Sequence, residues 1–440
     1  MCIVLKIVYG EIIHKKSILM KSKICLFLFP ALTAFCLAAS CDKSESGIDS
    51  ENLPDPIKID LRSAEQEMVK SDQTFAFEFF ENVFEAESGE KDKNFMVSPL
   101  SLSMALAMTW NGAAGETEKA MRETLKMGEY SDDDINGYYK KLKEALLKTD
   151  PSSKLSIANS IFTNQFVTIK QDFITVNTDY YNAEVKAVDF GDAKTTSLIN
   201  QWASDNTNGL IKEVIDKTNG DDLMYLLNAI YFKGIWTTEF DAKNTSKRPF
   251  TYENGTKKNV DMMKQTAKFN YTEDENLQLV QLPYGNQAFS MMVLLPKEGK
   301  KLKDVVRIIP QNNYWFGLAS KLREAEVELS LPKFKTEYSK KLNEVLEKMG
   351  MGIAFSDEAD FSEMTDVPAK ISFVKQDTYI STDESGTEAA AVTTVGMMMT
   401  SLPMEPQKVT FNADKPFLYI IQENSTGAIL FMGAVKNFNE

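Results

Sequence analysis

The stretch LMYLLNAIYFKGIW, residues 223–236, is rich in aromatic and apolar side chains and lacks the charge pairs that mark a surface helix. It reads as a strand covered on both faces. Working outward, short β-like runs follow it: VDMM, LQLVQLPY, FSMMVLLP, AEVELSLPKF, AKISFVKQDTYIS, KVTFN, FLYIIQEN and GAILFMGAV. Before it, Phe75, Phe79, Phe80, Val83 and Phe84 recur at helical spacing, which predicts an amphipathic helix over 61–87. Ser98 and Pro99 open LSLSMALAMTWNGAAG, where Ser caps, Pro suits the first turn and Gly112 closes. Because this segment is apolar nearly all round, it reads as a core helix. Further helices are predicted over 116–127, 133–148, 172–181 and 195–213, and a strand over 154–166. Helices first and strands later, without an internal repeat, predict an α+β fold in one domain over 61–440.

The whole chain has 440 residues, 43% of them apolar and 10% aromatic, enough for a substantial core. Its formal charge of −14 argues against nucleic acid, because phosphate binding needs clustered Lys and Arg to release counterions. From Met20 the chain reads MKSKICLFLFPALTAFCLAASC: two lysines, an apolar run, then small residues before Cys41. That is the pattern of a secretory signal, too short and too N-terminal for a permanent span. Residues 1–40 are therefore read as upstream residues plus signal peptide, and 1–19 as an upstream start without structure. Either Met1 or Met20 could be the true start. LAASC at 37–41 is similar to the lipobox of bacterial lipoproteins, in which the cysteine is acylated after cleavage, although Leu37 stands four residues before Cys41 rather than three. The polar, acidic DKSESGIDSENLPDP suits a flexible tether over 41–60. These readings predict an exported lipoprotein, held at the outer membrane or facing the cell surface and extracellular space, with membrane contact only through its lipid.

The only histidine is His14, and the four cysteines are Cys2, Cys25, Cys36 and Cys41. Cleavage before Cys41 leaves no imidazole to activate a Ser or Cys nucleophile, no Cys/His set for structural zinc and no disulfide. GxSxG, GxxxxGK[ST], HExxH and GxGxxG are absent from the sequence. Asp132, Asp134, Asn136 and Gly137 match the first positions of an EF-hand loop, but Lys143 stands where a bidentate Glu is required. An acidic helix cap is the better reading. No enzyme activity, metal or cofactor is expected; an enzyme built on unusual carboxylates is the remaining catalytic alternative.

The segments described so far, in their order, resemble the serpin family. The resemblance is carried by NFMVSPLSLSMALAM from Asn94, ANSIF from Ala158, INQWASDNTNGLIKEVI from Ile199 and LLNAIYFKGIWTTEF from Leu226. It continues in VQLPY from Val280, LPKFKTEYSKKLNEVLEKMGM from Leu331, DESGTEAAA from Asp383 and ADKPFLYIIQENSTGAILFMG from Ala413. It implies three β-sheets, eight or nine helices and an exposed reactive centre loop near 384–406. It places Ser98, Ser101 and Asn228 at the opening point of a central sheet and Trp236 where that sheet first parts. The histidine frequent near this shutter in the family is replaced by Gln376, which can still donate and accept a hydrogen bond but cannot titrate.

The resemblance makes residues 384–406 a protease bait, and their side chains agree with it. Along a strand from Thr387, alternate residues put Thr387, Ala389, Ala391, Thr393, Val395, Met397 and Met399 on one uncharged face. Glu384, Gly386, Thr387, Glu388, Ala389, Ala390 and Ala391 form the hinge, with small side chains and a glycine for backbone freedom. Counting fourteen residues from Gly386, the family norm, puts the reactive bond at Thr400–Ser401, with Met398 and Met399 as alternatives because 401–413 is a residue or two longer than in many relatives. No Arg or Lys occurs in 387–405, which disfavours trypsin-like targets. The implied function is serine-type endopeptidase inhibition by a monomer, acting as a suicide substrate. Elastase-, subtilisin- or chymotrypsin-like serine proteases, or papain-like cysteine proteases, are the expected partners. The alternative is a non-inhibitory relative that is cleaved as a substrate or acts as a binding module.

Overall fold

The computed structural model describes residues 1–9, 53–88, 93–311, 313–387 and 408–438. In chain order, β1 (Cys2–Tyr9) and α1 (Ser63–Ala86) are followed by β2 (Phe95–Val97), α2 (Pro99–Trp110), α3 (Gly115–Thr124) and α4 (Asp132–Thr149). Next come β3 (Lys154–Asn164), α5 (Gln171–Tyr181), β4 (Ala183–Val188), α6 (Ala193–Asn206) and β5 (Asp222–Ile235). The meander β6 (Ser246–Thr251), β7 (Lys257–Glu273), β8 (Leu277–Tyr284) and β9 (Phe289–Pro296) leads to α7 (Leu302–Ile308) and α8 (Tyr314–Ala319). The chain closes with β10 (Arg323–Pro332), β11 (Phe334–Lys341), α9 (Asn343–Leu346), β12 (Ala369–Asp383), β13 (Gly386–Thr387), β14 (Lys408–Asn412), β15 (Phe417–Glu423) and β16 (Ile429–Val435).

The strands form two hydrogen-bonded sheets. The central one has seven strands in the spatial order β11, β12, then β13 and β1 sharing one position, then β5, β3 and β4. The other has nine strands, β14-β10-β7-β8-β9-β15-β16-β2 with β6 beside β7. Two of the three sheets implied by the resemblance are joined here because β7 is long: it pairs with β6 and β10 along most of its length and with β8 only over its last four residues. Strand β5 is buried along nearly all its length, since α6 covers one face and α2 and the second sheet cover the other.

Helix α2 is the interior helix. Ser98 caps it by accepting a hydrogen bond from the Ser101 amide, Pro99 occupies its first turn, and all twelve of its residues are buried. Helix α6 ends at Asn206 rather than running to 213. Asn208 and Gly209 both have positive φ, which a right-handed helix cannot continue through. The EF-hand-like residues lie in α4. The Ser131 hydroxyl caps that helix at the Asp134 amide, and Asn136 is buried against Asn111 and Tyr181. Among the described residues no cluster of three or more His, Cys, Asp or Glu side chains could hold a metal ion.

The N-terminus departs most from expectation. Residues 1–9 are not structureless: β1 lies inside the central sheet, antiparallel to both β12 and β5. A nearly continuous apolar run with two β-branched isoleucines and two valines suits a strand covered on both faces, and Met1, Cys2, Ile3, Val4, Leu5 and Ile7 are all buried there. The end of the segment read as a tether is also held to the body. The Ile57 amide donates to Thr149 O, the Ile59 amide donates to the Ser425 hydroxyl, and Ile59 and Leu61 are buried.

Candidate functional site

Between β12 and β5 lies one strand position, bounded at one end by the root of the loop that leaves β12. After Asp383 the chain turns through Glu384 and Ser385 and re-enters the sheet as β13. Thr387 pairs with Thr382 on one side and Gly234 on the other, and Gly386 pairs with Asp383 and Ile235. Gly386 has φ 148°, and a Cβ there would lie 2.1 Å from Gly234 O, so only glycine fits. The turn is fixed by main-chain bonds from Trp236 N to Ser385 O and from Phe240 N to Glu384 O.

Trp236 organises this root. Its indole donates to Asp383 O at 3.0 Å and stacks on Tyr284 with ring centroids 4.5 Å apart. Tyr284 in turn meets Thr387: the two hydroxyls are 2.7 Å apart and buried. The Glu384 carboxylate binds Lys333 at 2.7 Å and accepts from Thr245 at 2.8 Å. Burial opposes ionisation of Glu384, but Lys333 and the other donors outweigh it and hold its pKa below the usual range. The hydrogen bond to Glu384 likewise raises the pKa of Lys333.

Farther along the same strand position, the N-terminus of α2 ties the two flanking strands together. The Gln376 side chain of β12 clamps the Ser98 backbone, its oxygen accepting from the amide at 3.2 Å and its amide donating to the carbonyl at 3.1 Å. Ser101 hydrogen-bonds Asn228 of β5, and the Asn228 amide donates to Asn159 Oδ1 at 2.7 Å. Ser98, Ser101, Asn228 and Gln376 are fully buried. In such surroundings each unmade bond costs more than a made one gains, so the network resists separation of β12 from β5.

The structure thus brings Ser98, Ser101, Asn228 and Gln376 together at one point, and Trp236, Glu384, Gly386 and Thr387 at another. Glu388, Ala389, Ala390, Ala391, Met398, Met399, Thr400 and Ser401 lie outside the described residues, as does Cys41. Sequence reasoning did not assign Asn159, Tyr284 or Lys333. Asn159 and Tyr284 stand inside the quoted segments ANSIF and VQLPY, but nothing local marks their partners, which are far away in the chain.

Comparison with known proteins agrees with the resemblance read from the sequence. The family model "Serpin (serine protease inhibitor)" matches residues 70–438. The chain belongs to the serpin family. It is 34% identical over 88% of its length to a serpin-like protein of Thermococcus kodakarensis, 90% of which is covered. Mouse antithrombin-III is 33% identical over 84% of this chain and 82% of its own. Among solved structures, the native state of the thermophilic serpin tengpin superimposes with a TM-score of 0.76 at 32% identity, covering 88% of this chain and 97% of that one. Inhibition of serine proteases is the activity that the family's description carries in general. The two polar and aromatic clusters described above are therefore parts of a serpin's central sheet and of the root of its loop.

Proposed function

We propose that this serpin is a single-use trap for serine proteases. The protease serine attacks the carbonyl carbon of Thr400; the Thr400–Ser401 bond breaks, its nitrogen leaves as the new amine of Ser401 after taking a proton, and Thr400 stays esterified to the protease. The freed strand then continues from β13 between β12 and β5. Fourteen residues at about 3.3 Å each carry the bound protease roughly 45 Å, to the far end of the sheet. Strand addition to a sheet supplies the free energy.

One observation carries this reading: Gly386 and Thr387 are already hydrogen-bonded between β12 and β5, so insertion has a seeded start. Incubation of the mature chain, beginning at Cys41, with pancreatic elastase, chymotrypsin, subtilisin and papain, followed by denaturing electrophoresis, tests it. A band heavier than the chain by nearly the mass of the protease is expected with at least one of them. Clean cleavage with no such band would instead support the substrate-like reading. That second reading has its own observation, since β1 already fills most of the strand position.

We also infer that Cys41 carries a lipid after cleavage and holds a monomeric domain to the outer membrane or cell surface. LAASC at 37–41 and the acidic stretch after it support this. Labelled palmitate should enter the exported protein and be lost in Cys41→Ser.

A further inference from the structure

We propose that β1 is a plug supplied by the chain itself: it holds the strand position that the cleaved loop must enter, so the inhibitor is unarmed while residues 1–9 remain in the sheet. This rests on the trap reading above.

Direction and register both point to direct competition. Strands β1 and β13 run the same way between the same two neighbours, each antiparallel to β12 and β5. Extending the β13 register from Thr387 along both neighbours brings position 392 opposite Asp377 and Ala229, the two residues that Cys2 faces. The plug is therefore in phase with an inserting loop on both sides. Only positions 388–390 would fit before such a loop met Met1, whose main chain bonds Ile230 through both its nitrogen and its oxygen. Ile3 lies opposite Gln376 and Asn228, directly at the polar network that joins the two strands.

The side chains of β1 suit the position at least as well as those of the loop. Ile3, Leu5 and Ile7 enter the main core, while Cys2 and Val4 pack in the cluster with Phe162 and Trp202 on the opposite face. In the shared register, Thr393 and Val395 would replace Ile3 and Leu5 with smaller groups. Lys6, the only charge on β1, binds the buried Asp222 at 2.5 Å. The loop brings Gly396 to that point and no cation. Burial of apolar side chains and pairing of the buried carboxylate thus both favour the plug. Cleavage before Cys41 would remove it, so that export and arming would be one event.

The test uses the full chain with Cys25, Cys36 and Cys41 changed to Ser, leaving Cys2 as the only thiol, alone and with Leu5→Asp. An aspartate at position 5 puts a carboxylate on the core face and should expel the strand without touching the loop. Cys2 should react with a thiol reagent about a hundredfold more slowly in the folded parent than in urea, and at near the unfolded rate in Leu5→Asp. With an elastase-like protease, the parent should be cut without forming a stable complex, and Leu5→Asp should form one. Fast labelling of the folded parent, or the same division between complex and cleavage in both chains, would overturn the plug. If neither chain forms a complex, the trap reading fails, and the melting temperature after loop cleavage decides about the plug. A rise confined to Leu5→Asp upholds it, and equal rises overturn it.

Discussion

The hydroxyl of Thr387 lies 2.7 Å from that of Tyr284, and both side chains are buried where the loop enters the central sheet. The first residue of the loop's uncharged face is thus in core surroundings before any cleavage. Thr387→Arg would place a guanidinium against the buried Tyr284. Burying an unpaired charge costs several kcal/mol, so β13 should leave the sheet. Complex formation is expected to fall at least about tenfold in favour of plain cleavage, read by densitometry of the two products in a chain free of β1 competition, such as Leu5→Asp. An unchanged ratio would remove this account of the inserting face.

Gln376→Leu keeps the size of the side chain and deletes both bonds to Ser98. The Ser98 amide loses its Gln376 partner, and a buried group left unsatisfied costs about 1–3 kcal/mol. A lower urea midpoint is expected. Cys2 labelling should also speed up, because the tie between β12 and α2 is gone. A midpoint equal to the parent's would mean that the clamp adds nothing.

Asp72 accepts hydrogen bonds from Tyr138 at 2.7 Å and Tyr139 at 2.9 Å. Burial nonetheless pushes its pKa from 3.8 up to about 7, against the pull of the two hydroxyls. Between these values the folded chain holds more proton than the unfolded one, so the contribution of this group to stability is greatest at the acid end and falls as pH rises towards 7. Asp72→Asn cannot ionise and should lose that decline. At pH 8 it should be more stable than the parent by on the order of 1–2 kcal/mol, a figure kept below the full linkage because Asp72 is only partly buried. Thermal melts at pH 5 and pH 8 check both the sign and the size.

Mild peroxide should slow inhibition. Oxidation of Met398 or Met399 adds a polar oxygen where a protease pocket takes an apolar side chain. Rates of complex formation by a chain free of β1 competition, such as Leu5→Asp, before and after treatment decide this, and equal rates would sink it. Mass spectrometry of the released C-terminal peptide reads the cut itself; a mass beginning at Ser401 is expected.

What could be read ahead of the structure was whatever is local. The apolar face of α1, the cap and proline of α2 and the hinge glycine at 386 are each written in a few adjacent residues. Gly386 could be singled out as a hinge, but that its Cβ would collide with Gly234 O depends on a strand pairing with β5 across more than 100 intervening positions. Tyr284, Lys333 and Asn159 escaped for the same reason, since each acts on a partner far away in sequence. The early end of α6 was visible in Asn208-Gly209, a stop signal overridden by the apolar period that continues past it. The placement of β1 could not be read from residues 1–9. Their β-branched, apolar run suits a buried strand, but the gap that receives them is made by β12 and β5, and no local pattern names an acceptor so remote.

The loop is fastened at its two ends to different sheets. Its upstream end, β13, belongs to the central sheet, whereas β14 downstream pairs in parallel with β10 at the edge of the other. Five residue pairs hold the downstream end to β10, and two hold the upstream end to β12. On the trap reading a single cut uncouples them, leaving β14 where it is and β13 able to advance once β1 has left the strand position. On that reading the molecule is a mechanical fuse: breaking one covalent bond between two separately anchored strands is the event that lets one of them move without the other.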